Sequence, residues 1–242
     1  MGEMAEHQRV FLKAEWNNLL MLNYAVHPSL LERFVPAGTE LDEFEGRTFV
    51  SLVGFGFNRT RICGLPVPFN QAFEEVNLRF YVKRSSKRGV VFIRELVPKF
   101  AVAAIARFAF NENYSSVPMS HRIETGADGV VAKAEYAWSW GKDRFAMRIE
   151  TEGASFLPPD GSDSQFITEH YWGYAAQSDG GCLEYEVQHP RWNVWKAKTA
   201  RFVGNAAHLY GNEIAHALTR EPDSAFLADG SPVTVCKGRR IS

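Results

Sequence analysis

The residues of this chain best suited to chemistry are four polar side chains at alternate positions of one segment: Glu75, Asn77, Arg79 and Tyr81. The intervening positions are apolar, namely Val76, Leu78, Phe80 and Val82. Because successive side chains of a β-strand point to opposite faces, this alternation predicts a strand with one apolar and one polar face. A carboxylate, an amide, a guanidinium and a phenol in one row suit a polar cavity inside a barrel. The alternative is an exposed face of an antiparallel sheet.

Such a row could bind and transform a small anion. Glu75 would be the general acid or base, Arg79 or Arg107 would hold a carboxylate or an enolate, and Tyr81 or Tyr114 would donate a hydrogen bond. Burial beneath aromatic residues would raise the pKa of Glu75, whereas a nearby arginine would lower it. Glu75 and Arg79 are about 13 Å apart along a strand, which is too far for a tight ion pair. Each therefore needs a cross-strand partner, a water molecule or a ligand.

Composition places the chain among ordinary globular proteins. With 242 residues, 45% of them hydrophobic and 23% charged, residues 1–242 are expected to form a single domain. The net charge of −1 gives no electrostatic footprint for nucleic acid. No apolar run reaches the length of a membrane span, and the N-terminus lacks a signal-peptide core. We therefore expect a protein that does not bind membranes. Three widely spaced cysteines without a CxxC motif indicate reduced thiols, so we expect it to be cytoplasmic.

The remaining pattern favours a mainly β protein of the α+β class with a few flanking helices. Strands are predicted over 10–24, 41–57 (in two parts), 90–97 and 183–189, besides the strand that carries Glu75. Helices are predicted over 28–34, 99–110, 166–176 and 200–218, and Ser162 with Gln165 has capping-box spacing. Residues 224–241 are expected to form a closing hairpin around Asp229-Gly230. Gly54 and Gly56 suggest a bend or a close approach within their strand.

A hairpin with a defined register is predicted between residues 130–140 and 144–150. Apolar residues occupy even positions in the first strand and odd positions in the second. A four-residue turn then makes facing positions sum to 283, with Trp138 opposite Phe145 and Tyr136 opposite Met147. The same register places Glu135 opposite Arg148 and Lys133 opposite Glu150, so that opposite charges face each other on the second side. Glu135 and Arg148 are accordingly assigned structural roles.

Motifs for bound cofactors and metals are missing. There is no phosphate-binding glycine loop, no GxSxG and no HExxH, so neither a cofactor nor a metal is predicted. His208, Asn212 and His216 would share a helical face, which is better explained by a surface row than by a metal site. His189 is either a ligand-binding group or part of a corner formed with proline and tryptophan. Arg107, on an otherwise apolar helix, needs a ligand anion or a structural carboxylate such as Glu75 or Glu95.

The order of several short segments resembles that of one protein family: Ala14-Glu-Trp, Leu22-Asn-Tyr, Val35-Pro-Ala-Gly-Thr39, Phe49-Val-Ser-Leu-Val-Gly-Phe55, Glu75-Val-Asn-Leu-Arg-Phe-Tyr-Val82, Arg88-Gly-Val-Val-Phe-Ile93, Ala106-Arg107 and His189-Pro190. Together they resemble the YqjF-like family, bacterial proteins of unknown function grouped with the acetoacetate decarboxylase superfamily. The resemblance implies an antiparallel β-barrel or cone, flanked by helices, with a polar pocket at its centre. It also implies that Glu75 lies on the strand that carries a pocket glutamate in the decarboxylases.

One departure from the decarboxylase pattern bears on function. Those enzymes use a Schiff-base lysine beside a second lysine shortly after the position matched by Arg107, but here no lysine follows before Lys133. The hypothesis is therefore an enzyme that performs acid–base chemistry on a small oxo acid or carboxylate without an imine, with Glu75 and Tyr81 or Tyr114 as its active groups. The alternatives are a non-catalytic binder of a small ligand and a polar interior that only stabilises the fold. Homo-oligomers are left open, because the aromatic residues could line a pocket or cover an interface.

Overall fold

The computed structural model describes residues 9–67, 71–98, 113–126 and 129–241, and most of them are in β-strands. The predicted helix over 99–110 and the candidate residue Arg107 lie outside the described residues. The mainly β fold class predicted from the sequence is confirmed. None of the helices in the described part of the chain has the length and apolar character needed to cross a bilayer.

Fifteen strands, three α-helices and two 3₁₀ turns are formed by the described residues. The 3₁₀ turns, Pro28–Leu30 and Glu32–Phe34, occupy the first predicted helix. The helices are α1 (Asp163–Thr168), α2 (Ala206–Tyr210) and α3 (Asn212–Leu218). The strands are β1 (Val10–Val26), β2 (Glu40–Leu41), β3 (Thr48–Ile62), β4 (Leu65–Pro66), β5 (Phe73–Arg84), β6 (Lys87–Val97), β7 (Tyr114–Ser116), β8 (Met119–Thr125), β9 (Val131–Trp140), β10 (Asp143–Phe156), β11 (Trp172–Ala176), β12 (Cys182–Gln188), β13 (Val194–Val203), β14 (Ser224–Cys236) and β15 (Arg239–Ile241).

Seven of these strands close into a ring. The order β12-β11-β6-β5-β3-β1-β14 is continuous, and β12 also pairs with β14 through Val187 opposite Val235. Neighbours in the ring are antiparallel except β6 and β11, which are parallel. From β14 the sheet continues outward through β13, β10, β9 and β8, which we call the wing. The architecture is thus a barrel with one side covered by an extension of its own sheet.

Strand β5 separates two hydrophobic layers. Its even-numbered residues from Val76 to Val82 pack in one cluster with wing residues, which include Trp138, Phe145 and Met147. Tyr81, on its opposite face, packs with Phe55 and Phe166 in a second cluster. The row from Glu75 to Tyr81 therefore faces the barrel interior, and all four side chains are buried. The alternative, an exposed polar face, is wrong, because sheet closure removes that face from solvent.

The predicted hairpin register is confirmed in β9 and β10. Trp138 faces Phe145 and Tyr136 faces Met147, and the Trp138 and Phe145 rings stack with centroids 5.6 Å apart. On the other side Lys133 Nζ lies 2.7 Å from Glu150 Oε1, and Arg148 pairs with Glu135. The hydrogen bond to Glu150 raises the pKa of Lys133. Agreement of both faces explains why a local pattern was sufficient to set this register.

The predicted helix over 166–176 is wrong in its second half. Ser162 does cap a helix, its Oγ accepting the Gln165 N–H at 3.2 Å, but α1 ends at Thr168. Residues Trp172–Ala176 instead form β11, which lies between β12 and β6. Aromatic residues suit a strand in that position, and a Cβ on Gly173 would lie 2.1 Å from the Tyr185 ring. Pairing of this segment with β12 and β6 therefore determines its structure, in place of the helix that the local pattern predicts.

Two further predictions near the C-terminus are wrong. The segment 200–218 begins as the end of β13, and the helices that follow, α2 and α3, are separated at Gly211, whose φ is +82°. Asp229-Gly230 is not a hairpin turn, because β14 continues through it. Gly230, with φ +88°, faces Asn17, and a Cβ there would lie 2.0 Å from the Trp16 carbonyl oxygen. The glycine thus allows close strand approach, not chain reversal.

Gly54 and Gly56 offer a matched test of the packing between barrel and wing. A Cβ on Gly54 would lie 2.8 Å from Tyr136 Cδ2 and 2.9 Å from Met147 Sδ, whereas the nearest atom at Gly56 is 3.9 Å away. We expect Gly54→Ala to lower the free energy of unfolding by about 1–3 kcal/mol through overpacking. Gly56→Ala should change it little or raise it. Urea denaturation of both variants checks this, and equal effects would contradict it.

Candidate functional site

The barrel interior contains a cavity of about 120 Å³. Polar and apolar residues share its wall. The polar ones among the described residues include Thr60, Glu75, Asn77, Arg79, Glu95, Tyr114, Thr168, His170 and His189. The aromatic ones are Phe11, Trp16, Phe55, Phe57, Phe73, Phe92, Trp172, Tyr185 and Trp192, besides Tyr114. A ligand of this site would thus meet polar groups on β5 and on several other segments, set among aromatic side chains.

Arg79 is the cationic side chain among the described residues of this wall and is only 9% exposed. Its Nη2 donates to the Ile167 carbonyl oxygen at 3.3 Å and lies 4.0 Å from Met21 Sδ. Its Nε has no hydrogen-bond partner among the described residues, and none of their carboxylates lies within ion-pair distance. A buried guanidinium in this state has unused capacity for an anion.

Asn77 and Tyr114 both donate hydrogen bonds to the Glu75 carboxylate. Asn77 Nδ2 donates to Glu75 Oε1 at 2.9 Å, and the Tyr114 hydroxyl donates to Oε2 at 3.3 Å. Because the Asn77 amide nitrogen faces the carboxylate, its Oδ1 points elsewhere, and that oxygen has no partner among the described residues. The bonds of Glu75 to Asn77 and Tyr114 fit the expectation that it does not pair with Arg79 along the strand.

Tyr81 lies on the inner face but has a supporting position. Its hydroxyl donates to Ser51 Oγ at 2.6 Å, since Ser51 uses its own proton toward Asn23 Oδ1 at 2.7 Å. The Tyr81 ring contacts two cavity residues. The Arg79 Cζ lies 5.7 Å from its centroid, and the His170 ring lies 4.6 Å away. Tyr81 thus positions the groups that border the cavity.

His189 occupies one end of the cavity within an aromatic stack. Its ring lies 4.1 Å from Trp192, nearly parallel, and 4.8 Å from Tyr171. Its Nδ1 lies 2.8 Å from the Pro190 carbonyl oxygen, to which it donates. Burial lowers the pKa of His189 to about 4, so the ring is neutral at neutral pH. Both sequence interpretations of His189 therefore describe part of its surroundings, because it forms a corner with Pro190 and Trp192 and also borders the cavity.

His170 is a cavity residue that sequence reasoning missed. It is 7% exposed, and its Nε2 lies 3.2 Å from Asp42 Oδ2, which also accepts a hydrogen bond from Arg88 Nε at 2.7 Å. Burial alone would raise the pKa of Asp42, but these bonds outweigh it and lower that pKa. Burial lowers the pKa of His170 to about 4. The partners are far apart in the chain, so no local motif indicates this pair.

Metal binding would need a cluster of ligating side chains, and imine formation would need a lysine at the cavity. Among the described residues no group of three His, Cys, Asp or Glu side chains is placed to hold a metal ion. His208 Nδ1 instead lies 2.6 Å from Asp143 Oδ2 at the surface. No lysine is among the described residues that border the cavity. Arg107, the remaining candidate, lies outside the described residues and stays a prediction.

Comparison with solved structures defines the class of fold. The enduracididine biosynthesis enzyme MppR complexed with pyruvate superimposes with a TM-score of 0.71 at 14% identity, covering 100% of this chain and 94% of that one. Acetoacetate decarboxylase from Legionella pneumophila gives 0.70 at 11% identity, with 100% and 92% covered. An acetoacetate decarboxylase-like enzyme from Sphingomonas wittichii RW1 gives 0.70 at 12%, with 96% and 93% covered. The chain has the acetoacetate decarboxylase-like fold.

Sequence comparison identifies the family within that fold. Residues 13–232 match the DUF2071 family, described as an uncharacterised conserved protein, and the chain belongs to it. The uncharacterised protein YqjF of Bacillus subtilis (strain 168) is 27% identical over 202 residues, which are 83% of this chain and 81% of that protein. The resemblance drawn from the short motifs is confirmed.

Proposed function

We propose that the cavity binds a small carboxylate or oxo acid and performs acid–base chemistry on it without a covalent imine. The observation that carries this proposal is Arg79, a buried guanidinium at the cavity with no carboxylate partner among the described residues. A buried charge of this kind is costly unless an anion compensates it. A carboxylate ligand would supply the missing partner through two parallel hydrogen bonds.

The other polar groups are arranged for proton transfer beside that anion. Glu75 would take a proton from the carbon next to a carbonyl group, and Arg79 would stabilise the enolate that forms. Tyr114, which donates to Glu75, can return or relay a proton. The proposed step uses no amine nucleophile, and no lysine borders the cavity in the described part of the chain.

The size and lining of the cavity limit the ligand. About 120 Å³ is comparable with the ~150 Å³ cavity that accommodates benzene. The aromatic wall around Phe55, Phe57 and Trp16 favours a short hydrocarbon part opposite the carboxylate. MppR, which shares the fold at 14% identity, has a solved structure in complex with pyruvate, a small oxo acid, and this supports the ligand class.

Non-catalytic binding is the second candidate, and one observation favours it. Glu75 is engaged by Asn77 and Tyr114, so its carboxylate is held in place by neighbouring groups. Such satisfaction is typical of a structural carboxylate. In this case the cavity would bind the same class of anion and leave it unchanged.

Incubation with pyruvate in heavy water tests the proposal. We expect the protein to catalyse exchange of the pyruvate methyl protons, followed by nuclear magnetic resonance, because Glu75 can remove a proton next to the carbonyl group. Borohydride treatment of the same mixture, and of one with acetoacetate, should leave the protein mass unchanged. The reason is that no lysine corresponds to the Schiff-base position after Arg107.

The outcomes separate the candidates. Binding of pyruvate by calorimetry without proton exchange would favour the non-catalytic binder. A stable borohydride adduct on a lysine would contradict the imine-free mechanism. Absence of both binding and exchange, for pyruvate and acetoacetate alike, would remove support for a carboxylate site in this cavity.

A further inference from the structure

The cavity wall contains a buried hydrogen-bond acceptor that has no donor. His170 borders the cavity, and its Nδ1 is without a partner among the described residues. The Asp42 carboxylate near Nε2 can only accept, so the proton of the neutral ring lies on Nε2. Nδ1 therefore carries a lone pair. A buried acceptor without a donor is unfavourable and rare in folded proteins.

This acceptor lies close to the proposed carboxylate site. The Arg79 Cζ and the His170 ring both contact the Tyr81 ring, at 5.7 Å and 4.6 Å from its centroid. Asp42 and Arg88 fix the orientation of His170 from the other side. Both residues line the same cavity, so one small molecule there could contact a guanidinium and an imidazole acceptor.

We infer that, among the small carboxylates that fit the proposed site, the cavity binds a hydroxy acid most tightly, with its carboxylate on Arg79 and its adjacent hydroxyl donating to His170 Nδ1. This inference rests on the proposed carboxylate site and names the second group that the ligand carries. A hydroxyl supplies the donor that Nδ1 lacks. The oxygen of a 2-oxo acid has no proton to donate, and an unsubstituted carboxylate has no group there.

Charge distinguishes a hydroxyl from an amine as the donor. The groups that face His170 are Asp42, Arg88 and Arg79, together with the Tyr81 and Phe166 rings. Asp42 bears one negative charge and already accepts from Arg88. The two arginines give a positive surrounding, which is unfavourable for the ammonium group of an amino acid. A neutral hydroxyl meets no such repulsion.

A matched ligand series tests the inference without any mutation. The probes are 2-hydroxy-3-methylbutyrate, 3-methyl-2-oxobutyrate and 3-methylbutyrate, whose carbon skeletons are the same. By calorimetry with the full chain, we expect the hydroxy acid to bind roughly five- to tenfold more tightly than either other acid, the usual effect of one buried hydrogen bond. Equal binding of all three overturns the inference but leaves the carboxylate site intact. Failure of all three to bind overturns the carboxylate site as well.

Two variants of His170 test whether its Nδ1 causes the preference for the hydroxy acid over the other two acids. In His170→Gln the amide can still reach Asp42, but nothing replaces Nδ1, so the preference for the hydroxy acid should disappear. In His170→Asn the amide oxygen lies near the former Nδ1, so the preference should largely remain. Melting temperatures without ligand serve as the control for folding. A preference that persists in His170→Gln would overturn the role of Nδ1.

Discussion

Replacing Arg79 by methionine is expected to weaken the binding of small carboxylates by roughly two orders of magnitude while the protein stays folded. Loss of one partner of a buried, hydrogen-bonded charge pair typically costs about 2–5 kcal/mol of binding free energy. Arg79 is the described cation that borders the cavity, so no other described guanidinium or ammonium there can replace it. Calorimetric titration with the acids that bind the unmodified protein measures the change.

The free energy of unfolding of the same variant shows what burial of the Arg79 charge costs the folded protein. Methionine keeps most of the stem volume, and the substitution removes a buried charge without a carboxylate partner. We therefore expect the free energy of unfolding without ligand to be unchanged or higher. Arg94→Met is a suitable control, because Arg94 lies 5.0 Å from the Trp140 ring and is not among the described cavity residues. If Arg79→Met unfolds without ligand, Arg79 is a structural residue. If it is stable and still binds every acid, the site is elsewhere.

Mild acid should destabilise the protein strongly through its buried histidines. Burial lowers the pKa values of His170 and His189 to about 4, from a usual value near 6.5. The unfolded chain therefore takes up protons before the folded one does. Their contribution to stability is complete above about pH 6.5 and is lost as the pH falls toward about 4. For His170 the loss by about pH 4.5 is of the order of 2–3 kcal/mol, and for the less buried His189 it is smaller.

Urea denaturation at neutral pH and at about pH 4.5 measures this loss. His170→Gln should reduce the difference between the two pH values by about 2 kcal/mol, since glutamine does not titrate. His216→Gln provides the matched control, because that histidine is exposed on α3 and solvent reaches it in both states. A difference between the two pH values that is the same in His170→Gln and in the unmodified protein would contradict the prediction.

Local alternation was sufficient to predict the central strand and the hairpin of the wing. In β5 the alternation predicted the strand and the residues of each face, whereas closure of the sheet decided that the face with the row from Glu75 to Tyr81 is buried. In β9 and β10 the apolar pairs and the charge pairs require the same register. Where two independent features of a segment agree, sequence reasoning reaches the level of facing residues.

The failures come from contacts between distant segments. Asp229-Gly230 has the composition of a turn, yet β14 stays extended because β1 pairs along it. Trp172–Ala176 continues a helical pattern, yet its place between β6 and β12 makes it a strand. His170 is positioned by Asp42, which is distant in the sequence. No pattern in the residues around position 170 indicates this contact. These pairings depend on contacts between distant segments, and the local pattern of a single sequence does not specify them.

The closure of the ring also determines when the cavity can exist. Strand β1 is synthesised long before β14, and the two pair along their length, as in Leu12 opposite Val235. Both of these residues, and Val187 of β12, border the cavity. During synthesis the cavity wall is therefore incomplete until β14 has left the ribosome, and such late, long-range pairing is intrinsically slow. A ligand of this cavity can stabilise only the finished barrel; it cannot guide the steps that lead to it.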